Sequence, residues 1–179
     1  GTDGPAALFN QLLDGTARQW ETLVDRVDFE LPPEAAQITR TIKSTLAYIL
    51  INRDGAAIQP GSRTYARSWI RDGAMTSTAL LEMGFTREAR DFIRWFSHYQ
   101  FPDGRIPCCV DRGVADSVLE NDSNGEFIYT VGEYYRHTRD VGFVNDLWPN
   151  VVKAVDYLAG LRQKRLTDLY KQPDKQAFY

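Results

Sequence analysis

Histidine and cysteine are scarce in this chain: its 179 residues contain only two of each. The cysteines are the neighbours Cys108 and Cys109. A bond between adjacent cysteines is strained, and two thiols alone make no zinc site. They read as small, partly buried side chains and do not settle the redox compartment. His98 and His137, within or at the ends of helical stretches, read as structural. No apolar run approaches the ~20 residues that a membrane helix needs. Positive charge is not in excess either. The net charge is -3, which removes the basic field expected of a protein that holds nucleic acid or an anionic membrane. Gly-x-Ser-x-Gly, phosphate loops and dinucleotide fingerprints are absent, and no cofactor is expected. No Met or signal sequence precedes Gly1-Thr2-Asp3, which reads as a trimmed or excised segment and leaves the location open.

What is present suits a globular domain. Hydrophobic residues make up 43% and charged residues 25%, and the length suffices for one domain with a substantial core. Apolar spacing near 3.6 dominates, and alternating strand patterns are nearly absent, so the expected class is all-α. A first helix is expected over Ala6–Val27, with Leu8, Leu12, Leu13, Trp20, Leu23, Val24 and Val27 as its buried stripe. Pro32-Pro33 breaks it and opens a second, marked by Ile38, Ile42, Leu46, Ile49 and Leu50. A third runs over Asp72–Met83, with Gly84 at the left-handed position after its end. Thr86 caps a fourth, whose apolar face is Ala89, Phe92, Ile93 and Phe96. A fifth spans Ser123–Thr138, and Ser123 with Glu126 has the spacing of a capping box. A sixth covers about Phe143–Arg162, with Val144, Leu147, Trp148, Val151, Val152, Val155 and Leu158 on one face. The stretch from Lys171 to Tyr179 is polar.

Loop lengths add a layout. The links between the third and fourth helices, and between the fifth and sixth, are short, so each pair packs as an antiparallel hairpin. Long irregular stretches, from Arg53 to about Arg71 and from about Gln100 to Asp122, precede the third and fifth helices. Those two helices should point the same way, with both long loops opening on one face. Loops beyond ~12–15 residues in a compact domain are usually functional or disordered, and the Trp, Arg and acidic content argues for function. The hairpins repeat with a step of about 50 residues, a pattern that stacks into a solenoid or closes into a ring.

Two stretches carry possible chemistry. Ser62–Gly73 places Arg63, Tyr65, Arg67, Trp69, Arg71 and Asp72 immediately before a helix. A Trp face can stack on a sugar ring, and an Arg–Asp pair offers donors and acceptors to neighbouring hydroxyls. Equally, Asp72 is a first-turn acid suited to the helix dipole, Arg71 its ion-pair partner and Trp69 core. Leu119–Glu126 gathers Glu120, Asn121, Asp122, Asn124 and Glu126 at the head of the fifth helix. Crowded carboxylates can have displaced pKa values, as acid–base catalysis requires, although the capping box accounts for Glu126. Asp122-Ser123-Asn124-Gly125 hints at calcium, but the regular acidic spacing of an EF-hand loop is missing, and no metal is expected.

At these stretches the sequence resembles a known family. Tyr65–Gly73, Y-A-R-S-W-I-R-D-G, resembles the aromatic-x-x-x-W-x-R-D-G signature of the six-hairpin glycosidases, which include the glucoamylases and related inverting enzymes. Phe101–Pro107 resembles their DG-x-[IL]-P loop, and the likeness runs from about Ala35 to Arg162. It implies the first half of an (α/α)6 toroid of antiparallel hairpins, with residues 1–32 a linker helix and 33–179 the first part of the ring. It implies that Arg71 and Asp72 bind the sugar at the nonreducing subsite, with Trp69 and Tyr65 as an aromatic wall. Arg67, Glu120 and Asn124 join them as candidate contacts, and Asp122 is the catalytic candidate. The general acid and base would lie beyond Tyr179, since a closed ring needs roughly 300 residues. The implied partners are a carbohydrate substrate and the remaining half of the toroid or further domains. Enzymes acting on polymers are often secreted or periplasmic.

The leading expectation is therefore an inverting glycoside hydrolase. A glycoside phosphorylase on the same ring, with Arg63 and Arg67 serving phosphate, is one alternative. A noncatalytic helical scaffold or binding module is another.

Overall fold

The computed structural model describes residues 4–168 and 172; the rest of the polar stretch Lys171–Tyr179 lies outside the described residues. Six helices dominate: α1 (Pro5–Val24), α2 (Ala36–Ile51), α3 (Ile70–Glu82), α4 (Thr86–Ser97), α5 (Ser123–Thr138) and α6 (Val141–Arg165). The all-α expectation holds. No helix among the described residues is long and apolar enough to cross a membrane. Pro33 opens a short 3-10 turn that leads into α2. Gly84 ends the α3 region at φ +77, a backbone state that costs a residue with a Cβ. Ala89, Phe92, Ile93 and Phe96 of α4 are all buried. They meet Phe85, Phe127, Phe143, Ile70 and Leu80 in one core. Each fully buried side chain of this size contributes about 1.5–3 kcal/mol.

The repeat expected from loop lengths is a repeat in space. Arg71 of α3 bonds to Asp122 just before α5, and Thr78 of α3 meets Tyr129 of α5 at 3.2 Å, each pair 51 residues apart. Two contacts with the same offset, one at the start of the helices and one two turns on, require α3 and α5 to run parallel and in register. The partner helices repeat this: Arg94 of α4 pairs with Asp146 of α6 at 2.8 Å, and Asn150 donates to the Ser97 carbonyl at 3.3 Å. Each hairpin is closed by local chemistry. Arg139 adopts φ +57 after α5, and the Asp140 carboxylate then caps α6 by accepting from the Phe143 amide at 3.0 Å.

The long loops are more ordered than their sequences suggest. Residues Arg53–Asp54 (β1) pair antiparallel with Ala57–Ile58 (β2). Ser68–Trp69 (β3) pairs with Cys109–Asp111 (β4), which pairs in turn with Val114–Ala115 (β5). The β3–β4 ladder ties the first long loop to the second, setting Trp69 opposite Cys109. Segments this short carry no readable alternation, because two residues cannot show a period of two.

Four local expectations need correcting. None of the α1 stripe is buried; Leu8, Leu12 and Leu13 are exposed, and only Leu23, Val24 and Val27 pack against the core. Trp148, Val152 and Val155 of α6 face outward while Leu147 and Val151 face in, because the buried strip is narrower than the apolar one. Thr86 is the first residue of α4 and its hydroxyl caps nothing. The capping box at α5 does not form: Asp122 occupies the cap position without a side-chain bond, and the Glu126 carboxylate turns to Arg71 instead.

Candidate functional site

The parallel heads of α3 and α5 bring the two chemistry-bearing stretches together. Arg71, the second residue of α3, reaches across to α5. Its Nε donates to Asp122 Oδ2 at 3.0 Å and its Nη2 to Glu120 Oε2 at 2.9 Å, while Glu126 Oε1 lies 3.5 Å from Nε. Its Nη1 makes no hydrogen bond among the described residues. The side chain is half exposed, so the guanidinium is fixed by carboxylates on one edge and open on the other. Asp122 and the acids beside it hold it above the ordinary arginine range.

Asp72 was expected as Arg71's possible partner. It is not: Arg71 turns to the α5 acids, and the half-buried Asp72 carboxylate makes no hydrogen bond or ion pair among the described residues. Its charge is felt by Glu126, which takes up a proton more readily than an ordinary carboxylic acid. Burial is the main cause, followed by the nearby charge of Asp122, with Arg71 opposing. Glu126 Oε2 is buried without a hydrogen-bond partner. Sequence reading assigned this residue to a cap, yet Asp122 and Glu126 are four apart at a helix start and so share a face. That spacing was the available signal.

Trp69 stands immediately before α3, held by its ladder partner Cys109 and by the Ile70 amide donating to the Cys108 carbonyl at 3.0 Å. Tyr65 is 60% exposed and its ring centroid lies 6.0 Å from that of Trp69, tilted by 48°. Arg67 lies over the Trp69 ring at 5.4 Å and pairs with Asp111 at 3.3 Å. Two groups thus stand at the entry to α3: Trp69 with Tyr65 and Arg67, and Arg71 with Glu120, Asp122 and Glu126.

Asn124 is placed differently. It is 2% exposed, and its amide is committed to the protein. Oδ1 accepts from the Ile106 amide at 3.0 Å, and Nδ2 donates to the carbonyls of Gly104 and Ala154 at 3.1 and 3.2 Å. The side chain pins the second long loop onto α6. Gly104 is the other half of this joint. With φ +92, an added Cβ there would stand 2.3 Å from the Lys153 carbonyl oxygen of α6. The Pro-Asp-Gly turn is thus seated against α6, which anchors the second long loop at its start.

Among the described residues, one group places donor atoms close enough to share a metal ion. The thiols of Cys108 and Cys109 and a carboxylate oxygen of Asp116 lie within 4.8 Å of one another. Sequence reading missed Asp116, which the β4–β5 turn folds back against Cys109. Burial keeps both thiols protonated and pushes Cys109 up to about 12, so a metal would have to displace those protons. The thiols are fully buried rather than partly so. His137 has a carboxylate one turn away, Glu133 at 3.8 Å, but Arg136 also pairs with that acid.

Comparison with known proteins follows the same direction. The sequence matches the family described as amylo-alpha-1,6-glucosidase over residues 37–169. It is also 26% identical over 148 residues to a Methanocaldococcus jannaschii protein named as an uncharacterized glycosyl hydrolase, a match covering 78% of this chain and 24% of that protein. The chain thus spans about a quarter of the length of that curated relative. No solved structure matches.

Proposed function

Because the chain belongs to the amylo-alpha-1,6-glucosidase family, we propose that it is the substrate-positioning part of a glycoside hydrolase acting on an oligo- or polysaccharide, with α-1,6-linked glucan the first substrate to test. We read the hairpins as the start of a six-hairpin (α/α)6 ring, with residues 1–32 as a linker helix and 33–179 as the first part of the ring. In that ring α2, α4 and α6 are outer helices and α3 and α5 inner ones. The observation that carries this reading is the clamp at the heads of α3 and α5, where Glu120, Asp122 and Glu126 hold Arg71 beside the unbonded Asp72 carboxylate; with the Tyr65–Trp69 pair just before α3, we read this entry as the mouth of a sugar site.

Each residue has a task that follows from its geometry. Trp69 and Tyr65 offer faces to the C–H surface of a sugar ring. Arg71 is held on three of its N–H groups and presents Nη1 to a hydroxyl, while Asp72 accepts from another. An oxygen ligand positioned between fixed groups loses less freedom on the way to reaction. Three carboxylates, Glu120, Asp122 and Glu126, surround one guanidinium, and with Asp72 close by they leave the mouth negative. That field favours the positive charge that develops on a sugar as its glycosidic bond breaks. Asp122, the candidate for the chemistry, is bound into the Arg71 clamp, so we assign it to positioning. In an inverting site the acid and base stand roughly 6.5–9.5 Å apart, and we expect that pair from the remainder of the ring.

Calorimetric titration with α-1,6- and α-1,4-linked gluco-oligosaccharides tests the reading. Binding should appear in the unmodified chain and fall at least about tenfold in Asp72→Ala, the loss of one charged hydrogen bond. The variant should keep its melting temperature, because Asp72 anchors nothing. A well-folded chain with no response across a broad glycan panel would count against the hydrolase and leave the helical scaffold as the better description.

A further inference from the structure

Beside the mouth lies a second, more polar hollow of about 410 Å³, lined by Arg63, Thr64, Ala66, Arg67, Asp111 and Arg112. Its electrostatics are opposite to those of the mouth. Three guanidiniums face one carboxylate, and that carboxylate, Asp111, is taken by Arg67 at 3.3 Å. The side chains of Arg63 and Arg112 make no hydrogen bond or ion pair among the described residues. The backbone at these two residues is also unusual. Arg63 has φ +60 and Arg112 φ +50, in a chain where Arg139 is the one other described non-glycine residue with positive φ. Arg112 and Gly113 (φ +78) are the two central residues of the tight β4–β5 turn, positions that favour Asn-Gly or Gly-Gly. A long cationic side chain at such a position is held against local preference, and strain of this kind collects at functional sites.

We propose that this hollow binds a phosphoryl group, either free orthophosphate or the phosphate of a phosphorylated sugar whose ring rests on Tyr65 and Trp69. Arginine forks match the paired oxygens of a tetrahedral oxyanion, and a cluster of them with one intramolecular counter-charge keeps two positive charges to offer. The Thr64 residue supplies a neutral hydroxyl at the same wall. Arg67 links the two regions, since it lines the hollow and also lies over Trp69 at 5.4 Å. The orthophosphate form stands without the hydrolase reading; the sugar-phosphate form rests on it. Orthophosphate bound beside the sugar mouth would equip the protein for phosphorolysis instead of hydrolysis. A bound sugar phosphate would mark a preference for phosphorylated glycans.

The test is calorimetric titration of the full chain with inorganic phosphate and with glucose 1-phosphate at low ionic strength, alongside a neutral gluco-oligosaccharide. The variants are Arg112→Gly and Arg63→Gly, which remove a guanidinium and relieve the positive φ. They should fold at least as well as the parent, which circular dichroism and a melting curve check. The expected result is phosphate binding in the parent, weakened about tenfold in each variant and weakened further by added salt. Glucose 1-phosphate binding more tightly than phosphate, with the gain lost in Tyr65→Ala, identifies the sugar-phosphate form. Equal affinities identify free phosphate. No binding of either probe at millimolar concentration overturns the proposal, and so does binding that Arg112→Gly and Arg63→Gly leave unchanged. Neutral oligosaccharide binding without phosphate binding removes the proposal and keeps the hydrolase reading; phosphate binding alone does the reverse.

Discussion

Three glycines allow the loop-to-helix joint to be weighed by substitution. At Gly104 the φ of +92 is unfavourable for alanine, and the new Cβ would sit 2.3 Å from the Lys153 carbonyl oxygen and 2.9 Å from its carbon. At Gly84 the φ is +77 but nothing lies within 4 Å. At Gly125, inside α5, φ is ordinary and the space is again empty. Left-handed backbone costs a residue with a Cβ about 1–2 kcal/mol, and forcing an atom into occupied space costs about 1–3 kcal/mol more. Gly104→Ala should therefore lose about 2–5 kcal/mol and Gly84→Ala only about 1–2 kcal/mol. Gly125→Ala should be neutral or gain up to about 1 kcal/mol from helix propensity. Urea unfolding followed by tryptophan fluorescence and circular dichroism gives all three values on one protein. Because the Gly104 carbonyl accepts from both Asn124 and Gln100, Gly104→Ala should also loosen the loop that carries Glu120 and Asp122 and weaken any ligand held at Arg71. If Gly104→Ala is no more destabilised than Gly84→Ala, the Pro-Asp-Gly loop is not seated on α6 as described, and the positional role given to Asn124 fails with it.

Two further outcomes concern titrating groups. Burial raises Glu126 above its ordinary value of 4.5, so the folded state binds more protons than the unfolded state just above that value. Its contribution to stability should fall as pH rises from about 4.5 through the raised value, then level off. Glu126→Gln should flatten that part of the profile, read from urea midpoints across the range, while Arg71 keeps Asp122 and Glu120; an unchanged slope would place the carboxylate in water instead. Cys109, pushed up to about 12 by burial, should resist iodoacetamide at neutral pH until the protein unfolds, as mass spectrometry of a labelling time course would show. Rapid labelling under native conditions would contradict the burial of the β4 strand.

Periodicity, breakers and loop lengths in the sequence determined the helices, their pairing and the step between hairpins. These signals are local: Pro32-Pro33, Gly84 and the run Ala89, Phe92, Ile93, Phe96 act within a few residues of themselves. The two loops rich in Arg, Trp and acids were legible for the same reason, as was their opening on a common face. Partnership was not legible, because it depends on which surfaces meet. Asp72 is the neighbour of Arg71 in the chain, but the register of α3 against α5 gives that arginine to Asp122, Glu120 and Glu126. Glu126 has the spacing of a cap and becomes a buried acid because a cation lies across the groove. Asn124 reads as a candidate sugar contact and becomes a pin because Gly104 brings a loop carbonyl within its reach. The apolar residues of α1 satisfy a helical stripe, yet little of the described protein covers them. Spacing along one segment sets which side chains share a face. Only the packing of segments far apart in sequence sets what that face meets, and the chemistry at the head of α3 depends on that second fact.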